Sequence, residues 1–343
     1  MPSSRSGDHR VTIYDVATKA GVSHATVTRF FRQPEKLSAR TYRRVEAVVN
    51  ELHYVPNAAA RSLSSGRTNL VALVVTDITS AFYTTIMHGV EATAQSHGYT
   101  LILVNTDESV EKERALLDAL IAHRIDGVIL TPAQGEGHDL SQLERHGIAV
   151  VLIDRELPNG RYDLVHGDSY EAGRTLTHHL LDQGLRDIAF VGGPEGVSSL
   201  EQRLKGYTDA MTAAGHPLRV HLGTYSRQSG EAIFDALATD DTLPEAIVAA
   251  SNKVALGVLV AARRHGIRIP DDVAVACVDD LETASLIDPF LTVAAQPAYD
   301  IGQLAMEMLI ERIEGKTYPA RKVMLPVELI VRRSSVRTAT SEA

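Results

Sequence analysis

The residues best suited to chemistry in this chain lie where short apolar runs end. Phe82 and Tyr83 follow a first run near Val71–Thr76, Asp154 and Arg155 follow VVLI, Asp279 follows VAVACV, and Gln296 follows TVAA. Arg203 lies near the start of the helical stretch after a VGGP loop. Aromatic faces stack on sugar rings, while carboxylates, guanidinium forks and amides bind hydroxyls, so this set suits a polyhydroxylated ligand. Singly, Asp279 could cap a helix and Arg203 could make a structural ion pair; together they share one expected rim. Signs of catalysis are missing. There is no Gly-x-Ser-x-Gly elbow and no P-loop, and Pro194 in Gly192–Gly196 disrupts a dinucleotide fingerprint. The fourteen histidines show no metal-ligand spacing, and the adjacent His178 and His179 diverge around a helix. No catalytic residue, cofactor or metal is expected, and an enzyme is not expected.

A second set lies near the N-terminus. Thr12 with Asp15 forms a capping-box-like start for a helix whose stripe is Ile13, Val16, Ala17 and Ala20. Gly21 breaks it, Ser23 caps a second helix from His24 to about Phe31, and Ser38 caps a third through Leu52. Helix, tight glycine turn and helix form the helix-turn-helix arrangement, whose second helix fits the DNA major groove. His24, Ala25, Thr28 and Arg29 are exposed at its start: Arg29 suits a guanine edge, His24 a polar base edge and Ala25 a thymine methyl. Arg32, Lys36, Ser38 and Thr41 suit phosphates. Thr12 and Ser23 are grouped with these as candidate DNA contacts.

The elements that must position these groups follow from patterning. At 343 residues the chain suits two or three domains. Residues 1–67 hold eleven Lys/Arg against five Asp/Glu, whereas the rest holds 23 basic and 38 acidic residues. A basic head on an acidic body is the pattern of a nucleic-acid reader carrying a separate module. In the body, strands are expected at Val71–Thr76, Thr100–Asn105, Gly127–Thr131, Val150–Ile153, Asp187–Val191, Ala246–Ala249 and Val273–Val278. Amphipathic stretches at Phe82–His97, Val110–His123, Tyr170–Gln183 and Leu200–Ala214 separate them. This alternation predicts an α/β fold of two lobes with doubly wound parallel sheets, in which ligands bind beyond the carboxyl ends of the strands. No apolar run long enough to span a membrane occurs, the N-terminus has no signal-like apolar stretch, and the single Cys277 precludes an intrachain disulfide. A cytoplasmic protein with no membrane partner is expected.

VTIYDVATKAGVSHATVTRFF, followed by LSARTYRRVEAVVNELHYVPNAAARSL, closely resembles the head of the lactose/galactose-repressor (LacI/GalR) family, and the likeness runs from about Val11 to Arg337. Tyr54 opens a connecting segment in which Pro56 suits a first helical turn and alanines favour helix, although so short a helix is marginal alone. The resemblance implies that two such hinge helices pair in the minor groove, with Leu63 wedging between base pairs and Asn57 and Ala60 as neighbouring contacts. It implies a helix-turn-helix domain over residues 1–56, a hinge helix and linker over 57–67, and a two-lobed periplasmic-binding-protein-like domain over 68–343. Lobe 1 is about 68–165 plus 296–325, and lobe 2 about 166–295 plus 326–340.

In the sugar-binding lobes of this family and of ribose-type periplasmic proteins, the matching Phe82 and Tyr83 would sandwich a ring. Asp154, Arg155, Arg203, Asp279 and Gln296 would bind its hydroxyls, with a pentose or related sugar favoured. One departure stands out: Ser251 and Asn252 occupy an Asn-Asp pair of the family, so the site loses a carboxylate there. The expected protein is a transcriptional regulator, a repressor, binding a pseudo-palindromic double-stranded DNA operator as a homodimer under a small sugar-like effector. Helices near Phe82–His97 and Tyr299–Ile313 are expected at the dimer surface. No leucine heptads follow VELIVRRSS, so a coiled-coil tetramer is not expected. Inducer and co-repressor action both remain open, as do control by a protein partner and a sugar-binding protein with no regulatory role.

Overall fold

The computed structural model describes residues 11–55, 67–135, 138–158, 160–240, 242–281 and 290–337. The chain divides into two compact units, Met1–Thr68 and Asn69–Ala343. Asn57, Ala60 and Leu63 lie outside the described residues.

In the first unit, α1 (Ile13–Ala20), α2 (His24–Arg32) and α3 (Ala39–Glu51) enclose a small core of Val16, Ala17, Ala20, Val27, Val45 and Val48. Local chemistry sets the helix starts. The Thr12 hydroxyl accepts from the Asp15 amide at 3.4 Å while the Thr12 amide donates to the Asp15 carboxylate at 2.8 Å. Ser23 accepts from the Thr26 amide and Ser38 from the Thr41 amide, each at 3.2 Å. Gly21 turns the chain between α1 and α2 in the left-handed conformation, φ 60° and ψ 42°, which a side chain would disfavour.

The second unit holds two six-stranded sheets among the described residues. The first is built from β1 (Leu70–Val75), β2 (Thr100–Asn105), β3 (Gly127–Leu130), β4 (Ala149–Ile153), β5 (Asp163–Gly167) and β11 (Lys322–Leu325), in spatial order β11-β5-β4-β3-β1-β2. Every pairing in it is parallel. The second has β6 (Ile188–Gly192), β7 (Arg219–Leu222), β8 (Ala246–Ala249), β9 (Ala274–Val278), β10 (Thr292–Ala295) and β12 (Glu328–Ile330), in order β12-β10-β9-β8-β6-β7. Only β12 runs antiparallel to its neighbour, β10. LVALVV in β1 and AVACV in β9 are apolar at every position because helices cover both faces, and each sheet carries a hydrophobic cluster on each side.

The chain passes between the sheets after β5, after β10 and after β11. These passages lie together: the Asp168 amide donates to the Leu325 carbonyl at 2.9 Å, and a Cβ on Gly167 would meet Gln296 Oε1 at 2.1 Å. The sheets therefore take strands from late in the chain as well as from the successive runs read in the sequence.

Glycine pairs bring neighbouring helices into close contact. On the first sheet α4 (Ala81–Ser96) crosses α11 (Ala298–Ile313), where Cβ atoms on Gly89 and Gly302 would meet the Tyr299 and Ile86 carbonyls at 2.1 and 2.2 Å. On the second, α7 (Ser169–Asp182) crosses α8 (Ser198–Ala213) through Gly173 and Gly206. There α9 (Arg227–Thr239) also crosses α10 (Asn252–Arg264) through Gly230 and Gly257. The backbones touch at these points, which sets how closely the paired helices approach each other. In the first lobe, α5 (Val110–Ala122) and α6 (Ser141–Arg145) join strands of the same sheet.

Candidate ligand cleft and nucleic-acid face

A cavity of about 530 Å³ opens between the carboxyl ends of the two sheets. Phe82, Tyr83, Asp154 and Arg155 line it from the first lobe, and Arg203, Ser251, Asn252 and Asp279 from the second. Asp154 and Asp279 occupy equivalent places. Each follows the last residue of a strand, adopts a left-handed backbone (φ 63° and 70°), and donates its amide at 3.1 Å to a neighbouring strand, to Val165 and Ala294 respectively. This conformation costs most residues about 1–2 kcal/mol and Asp less, so a short polar side chain at each site limits the strain.

Arg203 reaches the cleft from α8, whose backbone at Arg203 abuts Gly173. Its Nη1 donates to the Ala250 carbonyl at 2.7 Å, and Nη2 lies 3.9 Å from Asp154. The Tyr83 hydroxyl donates to Asp154 at 3.1 Å. Burial pushes the Asp279 carboxyl above its ordinary range, against the opposing pull of Arg203 and Gln296. Burial also raises the Tyr83 and Tyr225 phenols, which keeps both as protonated donors. Among the described residues, the buried atoms without a hydrogen-bond partner include Arg155 Nε, Arg203 Nε and the Tyr225 hydroxyl, all from residues lining this cavity. Buried donors left unpaired are costly, so a site presenting several of them together suits a ligand that brings acceptors.

Several of the expected ligand residues have partners within the protein. The Phe82 and Tyr83 rings pack on each other, with centroids 5.3 Å apart and planes tilted by 58°. Arg155 Nη1 and Nη2 grip Glu108 at 2.7 and 2.6 Å and Nη1 also donates to the Pro132 carbonyl, which leaves Nε as its unpaired donor. Gln296 stands behind the main cavity, where its amide donates to Asp279 at 2.7 Å. It lines a smaller space of about 270 Å³ that Phe82 and Asp279 also border.

At the departure noted above, Ser251 caps α10 by accepting from the Val254 amide at 3.3 Å, and Asn252 donates to the Asp280 carbonyl at 3.2 Å. Sequence reasoning did not find Glu108, Asp77, Lys253 or Tyr225 in the cleft wall. Tyr225 follows β7, and its ring fills the space beside Gly193, where a Cβ would meet it at 2.7 Å. An aromatic just past a strand's carboxyl end is a signal that could have marked it, but β7 is too short and polar to stand out as a strand.

In the head, His24, Ala25 and Arg29 are exposed on α2 and Thr28 is half-buried, its hydroxyl donating to the His24 carbonyl at 3.0 Å. Arg32 closes α2, Lys36 is exposed in a short 3-10 turn (Pro34–Lys36), and Tyr54 is half-buried beyond α3, its ring 6.0 Å from that of Phe31. Thr12, Ser23, Ser38 and Thr41 are engaged in helix caps, so their hydroxyls serve the fold first. Tyr14 was not anticipated: it is 66% exposed, with its ring 5.7 Å from that of His24.

A helix-turn-helix head and a two-lobed body with a polar cleft define a DNA-reading module joined to a ligand-binding one. Residues 12–57 match the bacterial regulatory proteins, lacI family, and residues 177–335 match the periplasmic binding protein-like domain. The chain is 34% identical over 331 residues to the ribose operon repressor of Halalkalibacterium halodurans, covering 96% of this chain and 99% of that relative. It is 35% identical over 332 residues to the HTH-type transcriptional regulator PtxS of Pseudomonas aeruginosa, covering 95% and 96%. A lac repressor dimer bound to operator and an anti-inducer superposes with a TM-score of 0.84 at 26% identity, over 95% of this chain and 99% of that one. The transcriptional regulator CelR in complex with cellobiose gives 0.71 at 32% identity, over 95% and 100%. The chain belongs to the lacI family of bacterial regulatory proteins: it is a DNA-binding transcriptional regulator and not an enzyme. Among the described residues, no helix is long and apolar enough to cross a membrane.

Proposed function

We propose that this regulator is a repressor that binds a two-fold operator as a homodimer and is switched by an uncharged polyhydroxylated molecule, a pentose or related sugar, held in the cleft. The observation carrying the effector reading is the charge balance of the cavity. Glu108 matches Arg155, Asp77 matches Lys253, and Arg203 lies near Asp154, with Asp279 a further buried carboxylate. Among the described lining residues each cation is already matched, while unpaired N–H and O–H donors stand beside carboxylate acceptors. Hydroxyls both donate and accept, so they satisfy both kinds of group; a phosphate or carboxylate would face two buried aspartates. The cellobiose-bound and operator-bound neighbours support the two partner classes.

In this reading His24, Ala25, Thr28 and Arg29 face base edges, and Thr12, Ser23, Arg32, Lys36, Ser38 and Thr41 lie along phosphates. Tyr54, Asn57, Ala60 and Leu63 belong to the hinge, with Leu63 in the minor groove. The site of action is the cytoplasm, where the operator is. Effector binding acts by favouring one lobe arrangement over another, which requires different affinity for the two. The test is operator binding at fixed salt across neutral pentoses and hexoses, their phosphates and sugar acids. A neutral sugar shifting affinity tenfold, about 1.4 kcal/mol of coupling, supports the reading. A shift by phosphorylated or acidic sugars alone refutes the charge argument, and a shift only by an added protein refutes small-molecule control.

A further inference from the structure

One charged contact ties the two walls of the cleft together at its mouth. Lys253, in the first turn of α10, reaches from the second lobe to Asp77, just past β1 in the first, and also donates to the Thr79 hydroxyl at 2.6 Å. Thr79 orients the acceptor, since its amide and hydroxyl both donate to Asp77, at 2.9 and 2.6 Å. Burial pushes the Asp77 carboxyl up, but the hydrogen bonds from Lys253 and Thr79 outweigh it and leave the group below its ordinary value. Among the described residues, the other polar contacts between the walls differ in kind. Gln134 donates to the Glu195 carbonyl and the Glu156 amide to the Ser198 hydroxyl, each at 3.0 Å, and neither is charged. Arg203 and Asp154 meet loosely at 3.9 Å on the cavity floor, with side chains 4% and 7% exposed, against 24% and 35% for Lys253 and Asp77.

Local chemistry gives Lys253 little reason to be where it is. A cation in the first turn of a helix meets the positive end of the helix dipole, and α10 has no acidic residue there to offset it. Its compensation comes from the opposite lobe.

We propose that Lys253 and Asp77 form a latch: an ion pair made only when the lobes are closed, which opening of the cleft must break. Lys253 is then a positioning residue. It raises the population of the closed arrangement and so the retention of whatever the cleft holds. The part about retention rests on the reading of the cleft as an effector site; the closure itself does not.

The experiment uses the full chain with spin labels at Glu111→Cys and Gln228→Cys, exposed positions in the first turns of α5 and α9 on the two lobes. Cys277 is buried and stays unlabelled. Pulsed-resonance distances are recorded without any ligand. Lys253→Met and Asp77→Asn are each expected to shift the distribution to longer distances, and raised salt is expected to shift the wild type the same way. The exchanged pair Asp77→Lys with Lys253→Asp is expected to restore the wild-type distribution. A Lys253→Met distribution superimposable on the wild type overturns the latch. So does a shift that the exchanged pair fails to restore, since that marks local damage instead of a lost ion pair. In a second arm D-ribose is titrated by calorimetry, with Lys253→Met expected to bind about fivefold or more weakly. Equal binding overturns the link between latch and retention. No heat with the wild type refutes the pentose reading, and the distance arm still decides the latch.

Discussion

Removing Glu108 should destabilise the body by an amount set by what it leaves behind. Arg155 is 4% exposed, and its guanidinium is held by Glu108 through two bonds of 2.6 and 2.7 Å. Glu108 also accepts from the Gln134 amide at 3.1 Å. After Glu108→Ala, Arg155 retains the Pro132 carbonyl and Asp154 at 3.6 Å. Breaking a fully buried pair costs about 3–5 kcal/mol because one charge is left uncompensated. The Glu108 carboxylate is 31% exposed, so water screens part of this, and about 2–3 kcal/mol is the expected loss. For a unit of this size that corresponds to a fall of about 3–5 °C in the calorimetric transition of the body. Replacing Arg155 by Met in the same background removes the stranded charge, so the double variant should recover to within about 1 kcal/mol of wild type. A fall below about 1 °C for Glu108→Ala, or a double variant as unstable as the two singles added together, would refute the reasoning. Arg155 would then be a hydrated fork open to ligand.

Three further outcomes are expected. Arg29→Ala should weaken operator binding by about 1–3 kcal/mol and relax preference at one base position; equal weakening on every sequence in a binding-site selection would reassign Arg29 to phosphate. Gly173→Ala puts a Cβ at 2.0 Å from the Arg203 carbonyl, so α7 and α8 must separate. A loss of about 1–3 kcal/mol in denaturant unfolding is expected, and an unchanged midpoint would show that the helices give way freely. His138 Nδ1 donates to the Glu113 carboxylate at 2.7 Å in a buried pair, and that hydrogen bond holds its pKa above the ordinary 6.5. The folded state therefore keeps a proton the unfolded chain has lost. The stabilisation is complete below the unfolded value and disappears as pH rises through the folded one. The melting temperature of the wild type should fall more steeply from neutral to alkaline pH than that of His138→Gln, and parallel curves would count against the pair.

Much of this protein is local and hence legible in its sequence. The caps at Thr12, Ser23 and Ser38 join residues three apart, and Gly21 needs only its own backbone, so the head could be read directly. Continuous apolar runs such as β1 and β9 mark strands buried on both faces, and the aspartates just past β4 and β9 could be assigned to strand ends by counting. Strands that lack such runs, β5, β7, β11 and β12, were not legible, because pairing to a neighbour and not their own composition makes them strands. The same limit applies within the cleft. Tertiary structure alone joins Glu108 to Arg155 across 47 residues and Asp77 to Lys253 across 176. It also turns Phe82 and Tyr83 onto each other and sets Gln296 behind Asp279. Side-chain type states what a residue is able to bind. Which of those bonds it makes depends on the charges and surfaces that folding brings within about 4 Å of it, and residue order along the chain carries almost no record of that.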